Sequence, residues 1–133
     1  MREIKFRAWH KPTQLMDDVV LIDFYNEKIG ILYADPVIQG ESIQKYSFNE
    51  IVLMQSTGLK DKNGVEIYEG DVVKGYSVYP TASTFESFLM GEVYYTNRGT
   101  WDCYSYILGG FNEQVEVIGN IYENKELIEV ECN

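Results

Sequence analysis

Residues 57–73, Thr57-Gly58-Leu59-Lys60-Asp61-Lys62-Asn63-Gly64-Val65-Glu66-Ile67-Tyr68-Glu69-Gly70-Asp71-Val72-Val73, decide the fold class. Their three glycines fall at turn-like positions between short apolar runs. Asn63-Gly64 is a strong hairpin signal, because both residue types tolerate a positive φ. Glu69-Gly70-Asp71 reads as a tight turn that delivers Val72-Val73 into another strand. The stretch therefore predicts strand, hairpin, strand, turn, strand.

The same period continues outward. Upstream, Ile4, Phe6 and Ala8 alternate with Lys5, Arg7 and Trp9, as in a strand with one buried face. His10-Lys11-Pro12-Thr13 breaks that strand, and residues 15–25 and 29–34 flank a hairpin loop at Asn26-Glu27-Lys28. A further alternation runs through Phe48, Ile51 and Leu53 into Met54. Downstream, residues 91–95, 101–108 and 115–122 complete the strands. Spacings of about 8–12 residues with turn signals between them indicate a sandwich or small barrel. Two segments read otherwise. Residues 77–90 form an insertion in which Thr84 caps a short helix carrying Phe85, Phe88 and Leu89. Residues 124–131 read as a short C-terminal helix with Asn124 as N-cap. The expectation is a mainly β, antiparallel chain organised as one domain over residues 1–133. Residues 1–56 are its N-terminal β segment, and 57–125 its barrel-like core with the 77–90 insertion.

Composition bounds the function. The 133 residues are 45% hydrophobic and 24% charged, which fits one ordinary domain and would make two full cores cramped. A chain of this size buries roughly two thirds of its unfolded surface without a staple. A net charge of −10 excludes whole-molecule steering toward phosphate. Cys103, Cys132 and the single His10 fall short of the roughly four ligands a zinc site takes. Whether the two cysteines are thiols or a disulfide stays open. The longest apolar runs, such as Val19-Val20-Leu21-Ile22, are far below the ~20 residues of a membrane span, and the N-terminus has no signal-like apolar core. A soluble cytoplasmic protein without cofactors is expected.

No constellation for chemistry stands out. Asp61-Lys62-Asn63-Gly64 superficially suggests a calcium loop, but the glycine comes too early and Val72 stands where a bidentate acid belongs. The glycines match no phosphate-binding pattern. His10 falls beside Pro12 and reads as an exposed loop residue. Glu66, Glu69 and Asp71 cluster around one hairpin with Lys60, Lys62 and Lys74, which reads as a charge-balanced turn.

The aromatics stand out more. Eleven Tyr, two Trp and six Phe are a high load, and Tyr94, Tyr95, Trp101, Tyr104 and Tyr106 crowd one region. In a continuous strand over 101–108, Trp101, Cys103, Ser105 and Ile107 share one face. Asp102, Tyr104, Tyr106 and Leu108 then share the other, so one set faces away from a single core. Exposed Tyr and Trp are typical interface anchors. Charge is uneven as well: Arg2, Lys5, Arg7 and Lys11 oppose only Glu3 at the start, while residues 112–133 hold six acids against Lys125.

Three blocks resemble the YopX family, small proteins of bacterial phages and prophages: Arg2-Glu3-Ile4-Lys5-Phe6-Arg7-Ala8-Trp9, residues 55–73 (QSTGLKDKNGVEIYEGDVV), and Val117-Ile118-Gly119-Asn120-Ile121-Tyr122-Glu123-Asn124. The resemblance implies a mostly β fold, an SH3-like barrel in the C-terminal part, a phage or prophage origin and self-association. It brings no assigned catalytic residues. His10 stands where an acid is expected after Ala8-Trp9, and Ser56 where an aromatic is expected.

The resulting expectation is a non-enzymatic oligomeric protein-binding module whose partner is a host or phage protein. Trp9, Tyr95, Trp101, Tyr104 and Tyr106 are its candidate partner-binding or subunit-interface residues. The alternative is a small β-barrel nucleic-acid module in which Trp9, Lys5, Arg7, Tyr104 and Tyr106 form a local patch. An enzyme would need a carboxylate-only mechanism in a true cleft.

Overall fold

The computed structural model describes residues 3–37, 39–77, 87–103 and 106–127. Their regular structure is antiparallel β, with short 3-10 turns at Phe48–Glu50, Leu108–Gly110 and Asn112–Gln114. The chain divides into two compact units, Met1–Gln55 and Ser56–Asn133. Among the described residues no helix is long and apolar enough to cross a membrane.

The first unit holds β1 (Phe6–His10), β2 (Leu15–Asp23), β3 (Lys28–Asp35), β4 (Gly40–Ser47) and the first half of β5 (Ile51–Lys60), in the order β4-β3-β2-β1-β5. The alternation expected at the N-terminus is realised within β1, where Ala8 and His10 are buried and Arg7 and Trp9 half-buried on the opposite side, whereas Ile4 precedes the strand and is 63% exposed. Ala8, Ile29, Ile31 and Ile51 form the buried cluster, and Val19, Ile22, Tyr46, Phe48 and Leu53 pack against it. The turn between β2 and β3 falls at Asn26-Glu27, where the Asp23 carboxylate accepts the Asn26 backbone N–H at 3.0 Å and its side-chain amide at 2.8 Å. Glu27 takes a left-handed φ of 55° to close it.

His10 corrects an expectation. It ends β1, is buried, and stacks on Tyr46 with ring centroids 3.8 Å apart. Its Nδ1 lies 2.6 Å from Thr13 Oγ1, and Nε2 lies 3.6 Å from Glu50 Oε2. Tyr46 belongs to β4, three places away in the strand order, so this part of the sheet curls enough to bring the two rings together.

In the second unit β6 (Glu66–Tyr68) pairs with the end of β5. β7 (Asp71–Ser77) lies between β12 (Val115–Asn120) and β8 (Ser87–Glu92), and β10 (Trp101–Cys103) lies between β9 (Tyr94–Tyr95) and β11 (Tyr106–Ile107). Ile67, Val73, Val93, Cys103, Leu108, Phe111 and Val115 form the core. Apolar burial on this scale stabilises each large side chain by about 1.5–3 kcal/mol. These ladders form no closed barrel among the described residues. The helix expected over the 77–90 insertion is also corrected where it can be seen. Phe88 and Leu89 lie in β8, paired with Tyr76 and Gly75 of β7; residues 78–86, with Thr84 and Phe85, lie outside the described residues. The tail expected to be helical is described only to Leu127.

The decisive stretch folds around its glycines. Gly58, Gly64 and Gly70 take φ of 77°, 80° and 86°, a region only glycine enters without strain. Asn63 does not share it, so the hairpin closes as a type I turn with Gly64 in the left-handed position, not as the two-residue form. Asp61 fixes the turn from within. One carboxylate oxygen accepts the N–H groups of Asn63 at 2.8 Å and Val65 at 2.9 Å, and the other accepts that of Val117 in β12 at 2.9 Å.

Candidate functional site

Four of the five crowded aromatics, Tyr94, Tyr95, Trp101 and Tyr106, sit on the two short hairpins made by β9, β10 and β11. Thr96 closes the first. Its N–H donates to Thr100 O at 2.8 Å, its Oγ1 lies 2.7 Å from Thr100 Oγ1, and the N–H groups of Arg98 and Thr100 donate to Thr96 Oγ1. Gly99, at φ 81°, completes the reversal. Tyr95 then faces Trp101 directly and Tyr94 faces Asp102. The Tyr95 and Trp101 rings are 4.7 Å apart and tilted by 56°, a geometry favoured between aromatic quadrupoles.

A second reversal corrects the expected continuous strand over 101–108. The chain turns back between Cys103 and Tyr106, so Cys103 pairs with Tyr106 and Asp102 with Ile107. Cys103 is fully buried, and Trp101 and Tyr106 pack against the same core. Tyr106 meets Phe111 edge-on at 6.3 Å. Tyr94, Asp102 and Ile107 occupy the opposite face, where Tyr94 is 37% and Ile107 52% exposed. Tyr95, at the rim of the core face, is 55% exposed.

Three of the five expected interface residues, Tyr95, Trp101 and Tyr106, thus come together on one ladder. Tyr104 lies outside the described residues. Trp9 belongs to β1 of the first unit, half-buried opposite Met16 and Val52.

Asp102 was not singled out by the sequence. It is 1% exposed, and among the described residues neither carboxylate oxygen receives a hydrogen bond. Among the described residues its ion-pair partner is Arg98, whose largely exposed guanidinium comes within 3.5 Å. A carboxylate removed from water without hydrogen bonds is costly, and native folds rarely keep one without a use. The available signal was Arg98 four residues before it, across the Gly99 turn.

The remaining polar clusters have structural roles. Burial alone would raise the Asp61 carboxyl. The N–H groups of Val117, Val65 and Asn63, with the Lys62 charge, outweigh it and hold Asp61 below its ordinary value. Its oxygens are directed to backbone, which answers the calcium-loop resemblance. Asp71 accepts the Tyr68 N–H at 2.8 Å, and Glu66 accepts a hydrogen bond from Ser56 Oγ at 2.9 Å. Glu92 is held above its ordinary value by burial and then by the charge of Glu69. Among the described residues no group of three or more His, Cys, Asp or Glu is placed to hold a metal ion. A depression of ≈ 230 Å³ lined by Gly109, Gly110, Phe111, Asn112, Glu113 and Gln114 carries a single carboxylate.

Comparison with known proteins adds a family and a fold. The family model described as "YopX protein" matches residues 5–129. The crystal structure of protein EF1440 from Enterococcus faecalis is similar at a TM-score of 0.61 and 33% sequence identity, covering 96% of this chain and 99% of that one. No curated protein matches significantly.

Proposed function

We propose, from the premise that the chain belongs to the YopX family, that it is a non-enzymatic, phage- or prophage-encoded binding module of the bacterial cytoplasm. In this reading it self-associates and docks a host or phage protein through the β9–β11 hairpins. The observation that carries it is Tyr95, 55% exposed on a braced hairpin and resting on Trp101, with Tyr94 and Ile107 open on the reverse face. Large aromatics held rigidly at a surface are the usual anchors of protein interfaces, because little rotamer entropy is lost when they are covered. The acidic balance of the chain favours a partner that presents basic side chains. We read the second unit as SH3-like in plan, with three short ladders around one apolar cluster.

The test compares the wild type with Tyr94→Ser/Tyr95→Ser, both exposed positions whose loss spares the core. A purified host or phage protein bound by the wild type should bind the variant at least about tenfold more weakly, as removal of an interface anchor does. Equal binding by the variant refutes the hairpin as the docking surface. Salt-sensitive binding of single-stranded oligonucleotides, in place of protein, establishes the nucleic-acid alternative.

A further inference from the structure

Strand β4 stands at the end of the hydrogen-bonded order, and among the described residues no strand pairs with its outer edge. Such an edge presents backbone donors and acceptors that another strand can complete. Its register with β3 sets its faces: Ile43 lies directly opposite Leu32, and the two are 49% and 48% exposed. Glu41, Ile43 and Lys45 alternate onto one face, and all three are exposed. Gly30 on the neighbouring strand supports that face, since a Cβ there would lie 2.6 Å from Ile43 Cγ2.

The strand reads Gly40-Glu41-Ser42-Ile43-Gln44-Lys45-Tyr46-Ser47 and is self-complementary in charge. In an antiparallel pair of identical strands about a two-fold axis, side chains of the same face meet in reciprocal pairs. Centred on Ile43, the pairing sets Ile43 against Ile43 and each Glu41 against Lys45 of the other copy. A slip of one pleat leaves Glu41 opposite Ile43 or Ser47, with no opposite charge. A slip of two pleats sets Glu41 against Glu41 or Lys45 against Lys45. One register alone satisfies both the apolar and the charged positions.

We propose that two copies of this chain join antiparallel through β4, centred on Ile43, with the Leu32–Ile43 stripe running across the junction. This surface lies in the first unit and is distinct from the aromatic hairpins; it rests on the self-association read above, while docking of a partner through the hairpins stands or fails separately.

The experiment is a charge swap read by analytical ultracentrifugation at low salt. Glu41→Lys and Lys45→Glu each turn two opposite-charge pairs into two like-charge pairs, and each should raise the dimer dissociation constant by on the order of 10- to 100-fold. The double swap should restore it to within a few-fold. Lys45 also acts on Asp23 in its own chain, so circular dichroism accompanies Lys45→Glu, and Glu41→Lys carries the test if that variant unfolds. Oxidised Ile43→Cys in a Cys132→Ser background should give a covalent dimer, since directly opposed residues lie about 4.5–5.5 Å apart, within disulfide reach. A wild type that stays monomeric and an Ile43→Cys chain that does not cross-link overturn the proposal. So does a dimer indifferent to the single swaps, or one the double swap fails to recover. A dimer lost in Tyr94→Ser/Tyr95→Ser but unmoved by the swaps transfers the contact to the hairpins and leaves the earlier reading standing.

Discussion

Replacing Asp61 tests whether one buried carboxylate sets the architecture of the second unit. Asp61 is 4% exposed and accepts three backbone N–H groups at 2.8, 2.9 and 2.9 Å, two in its own turn and one in β12. A hydrogen bond to a charged group contributes about 1.5–3 kcal/mol, and an abandoned buried donor costs about 1–3 kcal/mol. The three share one side chain, so the losses overlap, and Asp61→Ala should cost about 3–5 kcal/mol in all. Against a total stability of about 5–15 kcal/mol this is a large share. At about 4 °C per kcal/mol for a chain of this length, Tm falls by roughly 12–20 °C. Asp61→Asn keeps one acceptor but turns an amide toward a backbone donor, and should lie between wild type and Asp61→Ala. The pH dependence has a definite sign. Asp61 titrates below its ordinary value of 3.8 in the folded chain. Its contribution is therefore complete above that value and disappears as pH falls through the lower folded value. The gap between wild type and Asp61→Asn should be constant near neutrality and close in strong acid. Urea denaturation followed by Trp101 fluorescence in a Trp9→Phe background measures it. An Asp61→Ala chain within about 1 kcal/mol of wild type, or a gap that widens toward acid, refutes the reasoning. A midpoint raised by millimolar calcium would revive the cation-loop reading.

Gly75 lies where β7 approaches β12, and a Cβ there would meet Gln114 O at 2.5 Å and Val115 Cα at 2.8 Å. Because those atoms are backbone, Gly75→Ala should lose about 1–3 kcal/mol in the same urea assay, and an unchanged midpoint would disprove the close approach. Glu92 titrates above its ordinary 4.5 in the folded chain, so its charge weakens the fold as pH rises through that range. Glu92→Gln should accordingly stabilise the chain at neutral pH and give no gain below pH 4; a loss at neutral pH contradicts this. At Asp102, Arg98→Ala strands a buried carboxylate and should destabilise by on the order of 1 kcal/mol or more, whereas Asp102→Asn should be near neutral and the double variant should recover. A double-mutant cycle with no coupling would show that the 3.5 Å approach contributes nothing.

What could be read from the sequence divides along the distance over which each side chain's role is settled. Gly58, Gly64 and Gly70 were legible because a left-handed φ is decided within a few residues, and all three take it. The β2–β3 turn was legible for the same reason, since Asp23 and Asn26 close it locally. His10 was not: its immediate neighbours, Lys11 and Pro12, are turn residues, while its burial comes from Tyr46 on a strand three places away. Phe88 and Leu89 have helical spacing, yet pairing with β7 overrides it, as tertiary context overrides propensity. The aromatic region failed in a more instructive way. Alternation is a sound rule along one strand, and carried through 104–105 it placed Asp102 and Tyr106 on one face. The reversal after Cys103 breaks the count and sends Tyr106 to the core side with Cys103, leaving Asp102 beside Ile107. The same reversal therefore turns an expected row of tyrosines into two faces with different chemistry, one packed on the core by Trp101 and Tyr106, the other carrying a buried acid between exposed Tyr94 and Ile107. On the proposed docking through this hairpin only its exposed rim meets the partner. Tyr95→Ser should therefore weaken binding about tenfold, whereas Asp102→Asn, at a side chain 1% exposed and already facing Arg98, should leave it within about twofold. A loss at Asp102→Asn as large as that at Tyr95→Ser would refute this division.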